Sequence, residues 1–297
     1  MGRVRDLTEP ATRQWTRNVP LVLDAIKYRE SVFALPFAYA GMVLAADGLP
    51  TWGQFLWITV AMVAARTLGM SANRLIDRHI DARNPRTAER HLPAGLLAVP
   101  DMALLTAASA AVFIIAAAQL NTLALALAPV AGAYLILYPY TKRFTWASNL
   151  ALGWALAIAP SGAWIGVTGE LSLEPAVLSL AVALWAGSFD IIYHVPDRDF
   201  HLRDGLHSVA QRFGVTAAFR LARTMDFAAT AALVAVGLLA DLAWPYYVGC
   251  SAAAVVLVYK HRMVSPSDTS RLGVAFFRTN AYVSTAVFAG TLAAVLL

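Results

Sequence analysis

Apolar stretches long enough to cross a lipid bilayer recur along the whole 297-residue chain. A transmembrane helix needs about 20 mostly apolar residues. The composition agrees, since 59% of the residues are hydrophobic and only 14% are charged, whereas roughly a quarter of the residues in a soluble domain are charged. The sequence therefore predicts an all-α integral membrane protein. Cys250 is its single cysteine, which excludes a disulfide framework and a Cys-based metal site.

Turn residues between the apolar runs predict nine transmembrane helices, packed as a bundle around a central cavity. We expect a single transmembrane domain over 1–297, in which residues 1–19 form a polar cytosolic arm. Nothing in the sequence indicates nucleic-acid binding, and the lipid bilayer is the expected environment. The predicted spans lie at about 31–46, 52–80, 101–118, 122–140, 147–167, 174–196, 225–241, 243–260 and 274–296.

The positions of the 23 Lys and Arg residues predict the orientation of the bundle. Four connections on one side, at 47–51, 119–122, 168–174 and 241–244, contain no Lys or Arg. Apart from Arg66, the basic residues lie in the N-terminal arm, at the opposite helix ends or in the opposite connections. Because basic connections stay in the cytosol, we expect a cytosolic N-terminus and, with nine spans, a C-terminus outside.

Three polar residues at the inner end of the second predicted span form the first candidate site. Asn73, Asp77 and Asp81 follow one another at intervals of four, so on a helix they share one face. Two carboxylates and an amide oxygen on one face suit Mg²⁺, which takes one or two carboxylates and completes its shell with water and substrate phosphate. The alternative is a helix end with ordinary solvated charges.

A second acidic segment resembles the first in its position. Asp190 and Asp197 are seven residues apart, two helical turns, with Tyr193 between them, and Asp199 follows. Each segment ends a long apolar helix and continues into a connection that contains Arg. This parallel suggests an internal duplication, with both acidic segments facing the cytosol.

Basic residues near these segments indicate an anionic substrate. Arg66 lies seven residues before Asn73, roughly 10 Å deeper on nearly the same helix face. It either pairs with a structural carboxylate or binds an anionic substrate, because charges inside a membrane are costly and most often functional. The groups that would neutralise a diphosphate beside the carboxylates are Arg86, Arg90, Lys142 and Arg143.

These motifs together resemble the UbiA superfamily of intramembrane aromatic prenyltransferases. The resemblance is carried by Asn73-Arg74-x-x-Asp77-x-x-x-Asp81, by the Asn84–Gly95 stretch with its Asn-Pro-Arg-Thr-Ala start, and by Asp190-x-x-Tyr193-x-x-x-Asp197. It covers nearly the whole chain, including the nine predicted spans. It implies a Mg²⁺-dependent transferase that moves a polyprenyl group from an allylic polyprenyl diphosphate to an aromatic acceptor.

The resemblance also implies roles for individual residues. The four aspartates 77, 81, 190 and 197 would be the catalytic core, and His201 stands where many relatives have a further Asp, with Asp199 nearby. The implied metal ligands are Asn73, Asp77, Asp81, Asp190, Asp197 and Asp199. The implied diphosphate ligands are Arg86, Arg90, Lys142 and Arg143, and the implied acceptor-binding residues are Arg66, Tyr138 and Tyr193.

The acceptor is predicted from two short stretches. Residues 81–88 and 205–208 are most similar to the subgroup that prenylates a naphthoquinone carboxylate in the futalosine route to menaquinone. The near alternative is 4-hydroxybenzoate, in ubiquinone synthesis. An alternative of another class is a cation-coupled membrane transporter with acidic clusters in its bundle. We expect the protein in the cell (inner) membrane of a bacterium, with its active site toward the cytosol.

Overall fold

The structure, a computed structural model, describes residues 19–28 and 31–297, so most of the predicted arm over 1–19 lies outside the described residues. Nine helices of 16 or more residues are present in this part of the chain. We number them α1 (Ser31–Ala46), α2 (Trp52–Arg83), α3 (Val99–Ala118), α4 (Thr122–Leu137), α5 (Ser148–Thr168), α6 (Leu173–Tyr193), α7 (Val215–Leu239), α8 (Trp244–Met263) and α9 (Leu272–Val295).

Six of these helices, α2 to α7, are long and apolar enough to cross a membrane, the candidate span of α4 extending to Arg143. The chain is therefore a multi-pass membrane protein, and spanning by α1, α8 and α9 stays a prediction. One predicted boundary is wrong, because α7 begins at Val215 and not near 225. Its first turns carry the exposed side chains of Arg220 and Arg223, and exposed arginines favour a helix.

The longest helix, α2, positions the first acidic motif. Thr51 caps its start by accepting a hydrogen bond from the backbone of Gln54, whose side chain bonds back to Thr51. Its 32 residues span roughly 48 Å, more than the ~30 Å hydrocarbon core of a bilayer. The helix is therefore longer than the hydrocarbon core is thick, and the acidic motif lies in its last turns.

Two proline-containing 3₁₀ turns bring further polar residues to the same end of the bundle. Tyr138–Arg143 follows α4 and contains Pro139, and Val195–Asp197 follows α6 and contains Pro196. Proline cannot donate the next helical hydrogen bond, which favours such a tight turn at a helix end. After the second turn, two short helices, Arg198–Asp204 and Val209–Phe213, complete the connection to α7.

Small residues let the central helices approach closely. A Cβ added to Gly153 on α5 would stand 2.3 Å from the carbonyl oxygen of Ala183 on α6. A Cβ added to Gly249 on α8 would stand 2.5 Å from the carbonyl oxygen of Ala286 on α9. Small residues at helix contacts are typical of membrane bundles, where close van der Waals packing stabilises association. This packing holds α5 against α6, whose last turn carries Asp190, the first residue of the second acidic segment.

Candidate active site

Asp77 on α2 is buried and contacts two basic residues from the turn after α4. Its side chain is 1% exposed. Lys142 Nζ donates to Asp77 Oδ2 over 2.5 Å, and Arg143 Nη2 lies 3.4 Å from Asp77 Oδ1. Arg143 also donates to the carbonyl oxygen of Ile76 over 2.8 Å. The 3₁₀ turn therefore places two cations against the first acidic motif.

Asp81, one turn further along α2, is held by the connection that follows the helix. Arg90 Nη1 lies 2.8 Å from each carboxylate oxygen of Asp81. The hydroxyl of Thr87 donates to the Asp81 carbonyl oxygen over 3.0 Å. Because Thr87 is buried and fixed to the end of the helix, the connection folds back over the motif and does not extend into solvent.

The second motif begins with Asp190 near the end of α6. Its Oδ2 accepts a hydrogen bond of 2.8 Å from Nδ2 of Asn149 on α5, and its Oδ1 lies 3.2 Å from Nδ1 of His194. Asn149 is 4% exposed, and its Oδ1 accepts from the backbone N–H of Val209 over 3.2 Å. Asn149 therefore ties α5, α6 and the connection before α7 to one carboxylate.

Asp197 links the two motifs across the site. Its carboxylate accepts hydrogen bonds from Nε of Arg86 over 2.8 Å and from Nδ2 of Asn84 over 2.9 Å, and Arg86 Nη2 forms a further ion pair with it. Burial raises the pKa of this carboxyl, but the hydrogen bonds from Arg86 and the nearby charge of His194 outweigh burial and lower the pKa to about 2. Asp197 is therefore a carboxylate at neutral pH.

A small polar cavity of about 90 Å³ lies between these groups. Burial, reinforced by the charge of His194, lowers the pKa of His201 in its wall to about 4, so this imidazole is neutral. Its Nδ1 lies 3.0 Å from the hydroxyl of Ser208. The polar cavity is lined by the predicted residues Asn73, Asp81, Arg86, Arg90, Tyr138, Lys142, Asp190 and Asp197.

A larger apolar cavity of about 290 Å³ lies beside the polar one. Its walls are mostly aliphatic side chains of α2, α4 and α5, and its lining includes Arg66 on α2. Tyr138 lines both cavities, so the two meet at this residue. The lining follows α4 from Ala124 to Leu135, roughly 16 Å of helix. The arrangement suits a ligand with an anionic head and a long apolar tail.

Five predicted site residues do not line the polar cavity. Arg66 lines the apolar cavity, Asp77 lies beside the polar cavity and contacts Lys142 of its wall, and the other three are Arg143, Tyr193 and Asp199. The side chain of Asp199 is 80% exposed and pairs with Arg198, in contrast to its predicted place in the metal set. Asp199 lies two residues after the buried Asp197, at the start of a short helix. Positions two apart on a helix are rotated by about 200°, so the two side chains point in different directions. Tyr193 lies behind the wall, with its ring centroid 5.1 Å from Cζ of Arg86. Arg143 contacts Asp77 from outside the lining residues.

Some residues of the polar cavity were missed by sequence reasoning. Asn149 carried no role in the sequence prediction. Asn84 and Thr87 were noted only as part of a motif, His201 only as standing where many relatives have an aspartate, and Ser208 only within the stretch 205–208. Asn149 lies in the first turn of α5, where a lone asparagine usually indicates a helix start. Its contacts with Asp190 and Val209 are 41 and 60 residues away in sequence, so no local pattern could predict them.

The oxygen donors of the site fit Mg²⁺. Within the described residues, no three His, Cys, Asp or Glu side chains lie close enough to form a metal site by themselves. Buried carboxylates suit Mg²⁺, which is usually bound through one or two carboxylates and draws its other ligands from water and phosphate oxygens.

Comparison with known proteins agrees with this geometry. Residues 34–282 match the UbiA prenyltransferase family. A 4-hydroxybenzoate octaprenyltransferase of Cupriavidus necator is 36% identical over 253 residues, covering 84% of this chain and 87% of the relative. The apo structure of a UbiA homolog from Aeropyrum pernix K1 has a TM-score of 0.81 at 32% identity, covering 88% of this chain and 96% of the other.

A more distant structure shares the fold alone. This UbiA homolog from Archaeoglobus fulgidus, bound to DMAPP and Mg²⁺, has a TM-score of 0.63 at 17% identity, covering 90% of this chain and 98% of the other. The family match covers most of the chain, and the bundle has the same fold. The chain belongs to the UbiA prenyltransferase family and is a membrane-embedded prenyltransferase.

Proposed function

We propose that this protein transfers a polyprenyl group from an allylic polyprenyl diphosphate to 4-hydroxybenzoate, with Mg²⁺ as cofactor. The observation that carries the proposal is the polar cavity of buried ion pairs, which meets a long apolar cavity at Tyr138. The similarity to 4-hydroxybenzoate octaprenyltransferases supports this acceptor over the naphthoquinone carboxylate that the sequence stretches favoured. Membership in a prenyltransferase family favours an enzyme over a cation-coupled transporter.

The basic residues of the polar cavity would bind the diphosphate. Arg86, Arg90 and Lys142 each hold a carboxylate in this structure, and each is 24–32% exposed in its side chain. Phosphate oxygens can take over these cations, since guanidinium groups bind phosphate with the same bidentate geometry as carboxylate. The carboxylates released in this exchange, with Asn73, would hold Mg²⁺, which supplies Lewis acidity to the departing diphosphate.

The bond changes follow from this placement. The C–O bond between the allylic carbon and the diphosphate breaks, and the diphosphate keeps the electron pair. An aromatic ring carbon attacks the allylic cation, a new C–C bond forms, and the ring proton passes to a basic group of the cavity. Arg86, Arg90 and Lys142 stabilise the charge on the leaving group. The aliphatic walls of the apolar cavity hold the tail and keep water away from the cation.

Arg66 would orient the acceptor. It lines the apolar cavity near Tyr138, deeper in the bundle than the four carboxylates of the two motifs. A guanidinium at this depth can pair with the acceptor carboxylate, which directs the hydroxyl-bearing ring toward the allylic carbon. Tyr138, at the junction of the cavities, would line the ring, and Tyr193 would support it from behind Arg86.

The naphthoquinone carboxylate remains the second candidate acceptor. Residues 205–208, one of the stretches that resemble that subgroup, pack against the polar cavity. The backbone N–H of His207 donates to the carbonyl oxygen of Lys142 over 2.7 Å, and Ser208 contacts His201 in the cavity wall. Both acceptors carry a carboxylate for Arg66, so that residue does not choose between them.

The proposal includes the setting of the enzyme. We place the chain in the bacterial inner membrane as one transmembrane domain, with a cytosolic N-terminus, nine spans and an outside C-terminus. The end of α2, which carries the acidic motif, would then face the cytosol. This orientation gives the water-soluble acceptor and diphosphate access to the polar cavity from the cytosol.

The test is a prenyl-transfer assay with purified protein. Geranyl diphosphate serves as the donor, and 4-hydroxybenzoate and a naphthoquinone carboxylate are supplied in parallel, with Mg²⁺ or with EDTA. We expect prenylated 4-hydroxybenzoate, Mg²⁺-dependent diphosphate release, and loss of both on Asp77→Ala. Product from the naphthoquinone alone would reassign the acceptor. No product from either, with folded protein and metal present, would contradict the proposed function.

A further inference from the structure

A third cavity of about 440 Å³ lies between the N-terminal segment 19–28 and the connection after α2. We call it the basic vestibule, because four of its side chains are guanidinium or ammonium groups against two carboxylates. Its carboxylates, Asp24 and Glu89, are exposed, so the vestibule reaches solvent. The basic side chains and the histidine that line it are Lys27, Arg74, Arg86, Arg90 and His91.

The basic vestibule and the polar cavity share part of their walls. Arg86 and Arg90 line both. Arg86 holds Asp197 with Nε and Nη2, and Arg90 holds Asp81 with Nη1 alone. An arginine has five N–H donors in a planar fork, so each side chain can bind a carboxylate on one edge and a second anion on another. An anion can therefore pass from one cavity to the other without leaving these two guanidinium groups.

Lys27 is positioned at the same wall by the turn that ends the N-terminal segment. Its φ of 53° places the backbone in the left-handed region, and its N–H donates to the carbonyl oxygen of Asp24 over 2.9 Å. Its Nζ lies 5.6 Å from the ring centroid of Tyr193. Since Arg86 lies over the same ring at 5.1 Å, Lys27 and Arg86 approach one aromatic group together.

The proposed reaction needs a route for its hydrophilic product. The prenylated acceptor keeps its single carboxylate but gains a long apolar tail, so it can leave through the apolar cavity, where Arg66 is the single charged residue of the described lining. Inorganic diphosphate carries several negative charges and cannot leave that way, because burying such an anion in an apolar environment is very costly. The polar cavity itself is small and walled by carboxylates as well as cations.

We propose that the basic vestibule is a second anion site, which takes inorganic diphosphate from Arg86 and Arg90 and passes it, by way of Lys27, to the cytosol. The proposal rests on the proposed function, which supplies the diphosphate. A phosphate headgroup of an anionic lipid has the same chemistry, so the test uses protein in a phosphate-free detergent and, in parallel, in vesicles that contain phosphatidylglycerol.

Lysine labelling tests the site without catalysis. The sequence has three lysines, of which Lys260 is only 2% exposed. The protein is acylated with an amine-reactive ester, with or without inorganic diphosphate, and each lysine is quantified by mass spectrometry. We expect diphosphate in detergent to slow labelling of both Lys27 and Lys142 about fivefold, because an ammonium group that donates charge-assisted hydrogen bonds to diphosphate reacts more slowly with the ester. Labelling in the phosphatidylglycerol vesicles without diphosphate shows whether the lipid headgroup alone slows the reaction of Lys27.

Three labelling outcomes would overturn the proposal. Protection of Lys142 without Lys27 would confine diphosphate to the polar cavity. Protection of Lys27 by 4-hydroxybenzoate and not by diphosphate would assign the vestibule to the acceptor. Protection of Lys27 in the vesicles but not by diphosphate in detergent would make it a lipid site. Protection of Lys27 in protein that prenylates neither acceptor would support the anion site while contradicting the proposed function.

Product inhibition gives a second measurement. Lys27→Gln should raise the inhibition constant of inorganic diphosphate about fivefold, because one charge-assisted contact is lost. The matched control is Arg212→Gln, which removes an exposed cation from the short helix Val209–Phe213, outside the lining of all three cavities. An equal inhibition constant for Lys27→Gln and Arg212→Gln would contradict a role for Lys27 in diphosphate release.

Discussion

Two clusters of buried ion pairs in this protein differ in the exposure of their cations. Beside the polar cavity, Asp77 is 1% exposed, but its partner Lys142, which lines the cavity, is 24% exposed. Between α7 and α8, Asp226 pairs with Lys260 over 2.6 Å, and their side chains are 4% and 2% exposed. His261 Nε2 lies 2.6 Å from the same carboxylate oxygen. Asp226 and Lys260 line none of the three cavities described above.

This difference separates a binding site from a structural contact. A partly exposed cation beside a cavity can exchange its carboxylate for a phosphate at small desolvation cost. A fully sealed pair cannot, because separating it leaves an uncompensated charge in the bundle. Burial of a carboxylate is thus a poor indicator of function in this protein. The exposure of its partner and the presence of a cavity are better indicators.

The largest effect is expected at Asp77. Asp77→Asn should lower the rate of prenyl transfer about a thousandfold, because a carboxylate proposed to bind Mg²⁺ and its hold on Lys142 are lost. The melting temperature should change little, since Lys142 can turn toward solvent. The rate of diphosphate release measures the first effect, and thermal unfolding in detergent measures the second. Retention of more than a tenth of the activity would contradict a role for Asp77 in the proposed active site.

Asp226→Ala should have the opposite pattern. It leaves Lys260 buried without its carboxylate, which should cost about 3 kcal/mol of stability. Thermal unfolding in detergent should show a lower melting temperature, while the specific activity of the folded fraction stays near that of the parent protein. An unchanged melting temperature together with lost activity would assign a functional role to the Asp226–Lys260 pair and contradict the distinction between the two clusters.

A double variant provides the control for this prediction. Asp226→Leu combined with Lys260→Met replaces both charges by apolar groups, and such exchanges of buried pairs are often neutral. We expect it to recover most of the stability that Asp226→Ala loses, although His261 also loses its acceptor. A double variant as unstable as the single one would show that packing, and not the unpaired Lys260, determines the loss.

Much of the fold was predictable because hydropathy is a local property. All nine long helices overlap the predicted spans. The main boundary error, at the start of α7, arose because Arg220 and Arg223 were taken for a connection. The sequence pattern shows where a helix becomes polar, but a helix that protrudes from the membrane stays helical past that point. The same holds for α2, which stays helical through its acidic motif to Arg83.

The candidate site was predictable to the extent that its residues repeat at helical intervals. The pairs Asp77–Asp81 and Asp190–Asp197 have such spacing, and the structure brings Asp81, Asp190 and Asp197 to the polar cavity with Asp77 beside it. Asp199 is different because the turn at Pro196 starts a new helix, whose orientation the spacing does not specify. Asn149 and the vestibule depend on contacts between distant segments, which a single sequence does not show.

Asn149 provides a third and smaller effect. Asn149→Ala removes the hydrogen bond to Asp190 and should lower activity tenfold to a hundredfold, or about 1.4–3 kcal/mol. The Mg²⁺ concentration for half-maximal activity should rise as well, because Asp190 is no longer oriented. The matched control is Thr168→Ala, at the exposed end of the same helix. A fall in stability without a shift in the Mg²⁺ dependence would limit Asn149 to a packing role.

The smallest effect is expected at Arg83, and it tests the comparison between two arginines that lie three residues apart at the end of α2. Arg83 pairs with Asp204 through Nε and Nη2, as Arg86 pairs with Asp197, but the side chain of Arg83 is 57% exposed and lines none of the three cavities. Exposed pairs contribute little because water solvates both charges. Arg83→Ala should therefore change activity less than about twofold, whereas Arg86→Ala should lower it at least a hundredfold. Prenyl-transfer rates of the two variants, measured side by side at low and high salt, decide the point. Equal losses of activity in the two variants would show that activity requires a cation at this end of the bundle whether or not the cation lines the polar cavity.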